Sequence, residues 1–220
     1  MKKRHLIKKS VMLFVDLNAQ MHNANANKEG YKDVRKIETV MKYIEDRIFT
    51  HLKARGEAGC IYHIDVRMYY GWFSGKTKVS LRKAFEENKF EQKIFYDDEN
   101  RSSIIFKKID IATCFGDKLL VPNGKSLDKR LIFKIDAHLV DTCRNVGGEW
   151  REKMVDSAMV CDILTVARNY DYDLIRVMTE DDDIIPALFV ADSLGGDIRV
   201  LSTREHQNKY LKIDDLISHF

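Results

Sequence analysis

Apolar and polar positions along this chain follow two different periods. Short apolar runs that end at an acid or a turn former predict buried strands. They are "VMLFVDL" (11–17), "CIYHIDVRMYYGWF" (60–73), "QKIFYD" (92–97), "DLIRVMT" (173–179) and "DIRVLS" (197–202). Other segments carry apolar residues at helical spacing. These are "DVRKIETVMKYIEDRIFTHLKARG" (33–56), "KVSLRKAFEENK" (78–89), "EWREKMVDSAMVCDILTVARNY" (149–170) and "IIPALFVADSLGG" (184–196). Strand–helix alternation of this kind predicts an α/β fold with a mainly parallel central sheet between helices.

The pattern changes between about 102 and 142. "SSIIFKKIDIATCF" and "KRLIFKIDAHLVD" both alternate, and the turn formers of "VPNGKS" lie between them. An inserted β-hairpin is the natural expectation. No Pro/Gly/Ser-rich linker divides the chain, so residues 1–220 are expected to form a single domain. The hairpin and the amphipathic end "LKIDDLISHF" (211–220) are each candidate contacts for a homo-oligomer.

Composition narrows the class. Apolar residues make up 45% and charged residues 32% of the 220 positions, as in an ordinary soluble globule. No apolar run approaches a bilayer span, so no membrane association is expected. "MKKRHLIKKSVMLFVDL" begins like a signal peptide, but Asp16 interrupts the apolar stretch and no small-residue cleavage site comes after it. A basic lead-in to a buried strand is the expectation. Cys60, Cys114, Cys143 and Cys161 form no C-x-x-C pair, which suits reduced thiols in a cytoplasmic setting.

The net charge of +3 is unevenly spread. Residues 151–220 hold 8 Lys/Arg against 14 Asp/Glu, a net of −6, whereas the first 150 carry +9. Such a division suits an acidic site beside a surface that attracts phosphates, or two solvated faces. The basic candidates are "KKRH" (2–5), "KTK" (76–78), "RKAFEENK" (82–89) and "NGKSLDKR" (123–130). Tyr69, Tyr70, Trp72 and Phe73 follow the second strand, where a base could stack or where a core could pack.

The acids carry the candidate chemistry. In an open parallel sheet, ligands gather at the carboxyl ends of the strands. Asp16 ends the first predicted strand, Thr179 to Asp183 follow "LIRVM", and Asp156 lies early in the third long helix. Singly these are turn formers, helix caps or partners of a helix dipole. Together they predict a carboxylate cluster needing a counter-cation, and hard oxygen donors suit Mg²⁺ or Mn²⁺.

The combination "LFVDLN", "KMVDSAMVCD" and "IRVMTEDDDIIPALFVADSLGGDIRVL" resembles the NYN domain family, particularly its LabA-like branch, within the PIN-like nuclease fold. Asp16 matches that family's first acid, Lys153 and Asp156 its K-G-x-D pair, and Asp162 its later helix acid. Thr179, Asp181 and Asp183 match its S-x-D-x-D core, and Pro186, Gly196 and Val200 fit its Pro-containing helix and the glycine and valine beyond that helix. Met154 and Glu180 stand where the family has glycines, and Ile184 where it has phenylalanine. Asn18 follows Asp16 by two residues, whereas the family's Asn follows by three, where this chain has Ala19.

The resemblance implies a PIN-like three-layer sandwich and a metal-dependent endoribonuclease that hydrolyses RNA phosphodiester bonds. Asp16, Asp156, Asp181 and Asp183 would be its catalytic, metal-binding residues. Asn18, Lys153, Asp162, Thr179 and Glu180 are secondary candidates; Asp162 lies six residues, or about 120° of helix, from Asp156. A non-catalytic RNA-binding module of the same fold is the alternative. A haloacid-dehalogenase-like phosphatase would need an Asp where Asn18 stands, and a Toprim-like site a Glu where Asp16 stands.

Overall fold

The computed structural model describes residues 7–55, 57, 59–74, 77–88, 93–97, 102–106, 114–120, 143–147, 149–169 and 172–201. Its centre is strand β1 (Ile7–Asp16). Val11, Leu13 and Val15 point to one face of the sheet and Met12 and Phe14 to the other, and all five are buried. Burial on both faces is why the run reads as continuously apolar instead of alternating.

Strand β1 is followed by the short helix α1 (Leu17–Asn23) and the long helix α2 (Asp33–Arg55). Strand β2 (Cys60–Tyr69) then returns parallel to β1, from Ile7 opposite Cys60 to Asp16 opposite Tyr69. After a small ribbon, β3 (Phe73–Ser74) with β4 (Thr77–Lys78), come helix α3 (Ser80–Glu87) and the strands β5 (Lys93–Asp97) and β6 (Ser102–Phe106). A second ribbon, β7 (Cys143–Val146) with β8 (Glu149–Glu152), leads into helix α4 (Val155–Asn169). Strand β9 (Leu174–Met178), a 3-10 turn (Asp182–Ile184), helix α5 (Ile185–Ser193) and strand β10 (Ile198–Val200) complete the described chain.

The central sheet has six strands in the order β10-β9-β1-β2-β6-β5. All neighbours are parallel except β5, which joins β6 antiparallel. Helices cover both faces. Ile37, Val40, Met41, Ile44 and Ile48 of α2, spaced three and four apart, pack with Val11, Leu13, Val15 and Ile64. On the opposite face Ala158, Met159, Ile163 and Val166 of α4, with Leu188 and Ala191 of α5, pack with Met12, Phe14, Ile175 and Val177. Pro186 is tolerated in the first turn of α5 because an N–H there has no intrahelical partner.

Three expected elements change. Ser102–Phe106 is no arm of a protruding hairpin; it lies in the central sheet between β2 and β5, with Ile104 buried. The opposite arm expected around 129–141 lies outside the described residues, as does 211–220. The helix expected from 149 begins only at Val155. Residues 149–152 pair with 143–146 about a turn at Gly147 (φ 65°), and Met154 then takes a left-handed φ of 66° that a helix cannot continue through. The strand expected over 60–73 ends at Tyr69, and Cys114–Gly116 continues alongside it. The Met68 N–H donates to Cys114 O at 2.7 Å and the Gly116 N–H to Met68 O at 2.8 Å. Gly116 packs against the Tyr69 ring closely enough to leave no room for a Cβ.

Candidate active site, a carboxylate pocket between two strand ends

The chain leaves β1 toward β2 on one side and later fills the other side with β9 and β10. A crevice forms outside the carboxyl ends of the strands where the order reverses this way. Asp16 ends β1, and Thr179 follows the end of the neighbouring β9.

A chain of hydrogen bonds joins the two strand ends. One Asp16 carboxylate oxygen caps α1 by accepting the Ala19 N–H at 3.1 Å, and the other accepts the buried Thr179 hydroxyl at 3.4 Å. The Thr179 Oγ1 accepts the Asp181 N–H at 3.0 Å, and the Asp181 carboxylate accepts the Asp183 N–H at 2.9 Å, capping the 3-10 turn. The acidic run is thus wound so that Asp181 and Glu180 face a pocket and Asp182 and Asp183 lie exposed.

That pocket has a volume of about 510 Å³ and is lined by Asp16, Asn18, Ala19, His22, Asn27, Glu152, Asp156, Glu180 and Asp181. Five carboxylates from three parts of the chain (Asp16, Glu152 with Asp156, and Glu180 with Asp181) therefore share one space. Among the described residues, no Lys or Arg lines it. Glu180 is buried and accepts the Asn23 side-chain N–H at 3.1 Å. Glu152, at the end of β8, accepts the Gly71 backbone N–H at 2.7 Å and the Asn18 amide N–H at 3.4 Å.

The electrostatics reflect this crowding. Burial pushes the Asp16 carboxyl up to about 6 from 3.8, with help from the charges of Asp156 and Asp181 and against the pull of the Ala19 and Thr179 hydrogen bonds. Burial also raises Glu152, aided by Asp16 and Asp156. Asp156, in the first turn of α4, is raised by burial and then by Asp181 and Asp183.

Of the residues expected from the sequence, Asp16, Asp156, Asp181, Asn18 and Glu180 line the pocket, and Thr179 ties its two sides together. Asp183 is not part of the lining but acts electrostatically on Asp156. Lys153 has an exposed side chain and does not line the pocket.

Asp162 is turned elsewhere. It is fully buried on the inner face of α4, 2.8 Å from Arg67 Nε. It also accepts the Tyr69 hydroxyl and the Leu120 N–H, each at 2.6 Å. The six-residue separation that rotates it from Asp156 carries it into this ion pair.

The other candidates divide similarly. Tyr69 and Trp72 are core residues with no exposure, while Tyr70 and Phe73 are half-buried. Lys78 is paired with Glu86, and Arg82 with Glu86 and Asp117. The segments 2–5 and 123–130 lie outside the described residues. Cys60 and Cys161 are free thiols, and no described helix is long and apolar enough to cross a membrane.

Glu152 is the acid of the pocket that sequence reasoning missed, and His22 and Asn27 also line it without having been singled out. The signal for Glu152 was "NVGGEW", a Gly-Gly pair between extended residues, which marks a two-residue hairpin and moves Glu152 from a helix face to a strand end.

The donor set suits a hard divalent cation in charge and atom type, since all five acids and the two amides offer oxygen. As they stand, no group of three or more His, Cys, Asp or Glu among the described residues has a geometry that could hold a metal ion. The set is chemically matched but spread around an open space. Comparison of the chain with protein-family models, curated proteins and solved structures finds no match.

Proposed function

We propose that this chain is a metal-dependent endoribonuclease of the PIN-like type, working in a cytoplasmic setting and taking RNA at the carboxylate pocket. The observation that carries the reading is the pocket's lining: five carboxylates, no lysine or arginine among the described residues, at the reversal point of a parallel sheet. Like charges gathered at that density favour a divalent counter-ion. Asp16, Asp156 and Asp181 are assigned as its ligands, with Asp183 acting from the turn beside them. Bound Mg²⁺ or Mn²⁺ would supply Lewis acidity and charge neutralisation at a phosphodiester.

The chain's own groups do the rest. Thr179 holds Asp16 and the 179–183 turn in register through its hydroxyl. The Gly71 N–H and the Asn18 amide orient Glu152. In the metal-free chain Asp16 has a pKa near 6, so it must give up its proton to take the cation, and metal uptake should weaken as pH falls through about 6.

The test uses labelled single-stranded and structured RNA with Mn²⁺, Mg²⁺ or EDTA, beside Asp181→Asn, whose amide oxygen keeps the turn capped. Cleavage should need the metal and vanish in the variant while its circular dichroism is unchanged. Competing single-stranded DNA reads the sugar preference. The second reading, a non-catalytic RNA-binding module, draws on the spread geometry of the acids. Binding without cleavage under every metal condition selects it and sinks the nuclease.

A further inference from the structure

A second, smaller pocket of about 160 Å³ adjoins the carboxylate pocket, and the two share Asn27 and Glu152. Its character is different. Tyr70, just past the end of β2, supplies an aromatic ring, Lys36 of α2 a cation, and Ser80 at the start of α3 a hydroxyl. Of the four aromatics clustered at and just beyond the end of β2, only Tyr70 lines either pocket.

The Tyr70 ring has a firm backing. It packs on Trp72 at 5.3 Å between centroids, tilted by 60°. Trp72 has no exposure and meets Phe115 edge-on at 4.7 Å and Phe85 at 5.8 Å. Its indole N–H donates to Met68 O at 3.1 Å, and its backbone N–H to Tyr70 O at 2.7 Å. A ring held this way loses little freedom when something stacks on it. Lys36 stands 3.5 Å from Asp33, which lines the same pocket.

The combination discriminates among ligands. A lone phosphate has no use for the ring, and an apolar molecule none for the lysine. A base joined to a phosphate uses both, stacking on the ring while the phosphate meets the cation. The volume suits one planar ring system, well below the usual range for a drug-sized ligand.

We propose that the Tyr70 pocket is a nucleobase subsite. It takes one unstacked base of a single-stranded RNA next to the linkage held in the carboxylate pocket, with Lys36 facing the adjoining phosphate. This rests on the ribonuclease reading of the neighbouring pocket and adds the substrate class. A base inside a duplex is already stacked and cannot enter, so single strands and loops are the substrates.

The test measures binding of labelled, unstructured oligoribonucleotides by fluorescence anisotropy with Mn²⁺, on the Asp181→Asn background so that the strand stays intact. Tyr70→Leu should weaken binding about tenfold, whereas Tyr70→Phe stays within about twofold. An abasic residue moved along the strand should cost the parent about tenfold at one position and cost the Tyr70→Leu protein nothing further there. Thermal melts confirm that both variants are folded. Equal affinity in parent and Tyr70→Leu, or abasic losses identical in the two, overturns the subsite. If wild-type protein cleaves RNA but those results are flat, the subsite alone is wrong. If it neither cleaves nor binds, the ribonuclease reading falls and the subsite with it.

Discussion

Replacing Asp16 by Asn should make the metal-free protein more stable at neutral pH, although it removes a residue assigned to the site. The folded carboxyl has a pKa of about 6 against 3.8 when unperturbed. Proton counting sets the sign. Below pH 3.8 both folded and unfolded chains hold the proton, and the group contributes no difference. Between 3.8 and 6 the folded chain holds a proton that the unfolded chain has released, so stability falls as pH rises. Above 6 the whole cost is present, about 3 kcal/mol at 1.36 kcal/mol per unit. Asparagine cannot ionise and escapes that cost. It also keeps an oxygen for the Ala19 N–H, so the cap of α1 survives. Loss of the anion at the helix start returns about 0.3–1 kcal/mol, leaving a net gain of about 2 kcal/mol at about pH 7.5. For a chain of this size that is roughly 4–8 °C in Tm. The assay is urea unfolding of both proteins in EDTA from about pH 4 to 8. The gap should open from near zero at the acid end and level off above about pH 6. A gap that ignores pH, or a variant less stable at neutral pH, refutes the reasoning. Saturating Mn²⁺ should then favour the wild type by mass action and reverse the order.

Two further substitutions test the frame around the pocket. Met154 is exposed and held at a φ of 66°, costing about 1–2 kcal/mol for a residue with a Cβ. Met154→Gly should therefore raise the urea midpoint by about 0.5–1 kcal/mol of stability, the rest being lost to the freer unfolded chain; a lower midpoint would contradict this. Asp162→Asn leaves the Arg67 guanidinium buried without its counter-charge and should cost about 3–5 kcal/mol. Mn²⁺ affinity of the folded variant, by calorimetry, should be unchanged, and a loss would return Asp162 to the site.

Periodicity accounts for most of the architecture that could be read in the sequence. Strands β1, β2, β9 and β10 and helix α2 announce themselves because their buried faces need unbroken spacing, and Asp16, Asp156 and Asp181 sit at the ends such elements define. Glu152 escaped because "EWREKMVDSAMV" carries helix-forming residues across a break made by backbone angles at Met154, which side-chain pattern does not show. Asp162 went astray for a related reason. Its partner is fixed by tertiary packing, and the clue lay about a hundred residues earlier, where Arg67 falls in the wholly buried end of β2 and must be neutralised. The place of Ser102–Phe106 was lost because local alternation fits a hairpin arm and a sheet strand equally well; burial of Ile104 decides between them.

The pairing of β1 with β9 has a consequence for synthesis. Asp16 and Thr179, bonded to each other, are 163 residues apart, so a ribosome adding roughly 5–20 residues per second needs about 8–30 s between them. During that interval β2 can already lie against β1, while the sticky Met12–Phe14 side has no cover from α4. The nascent chain is therefore most prone to misassociate before its last third emerges, and a chaperone would find its target on that bare side of the first strand.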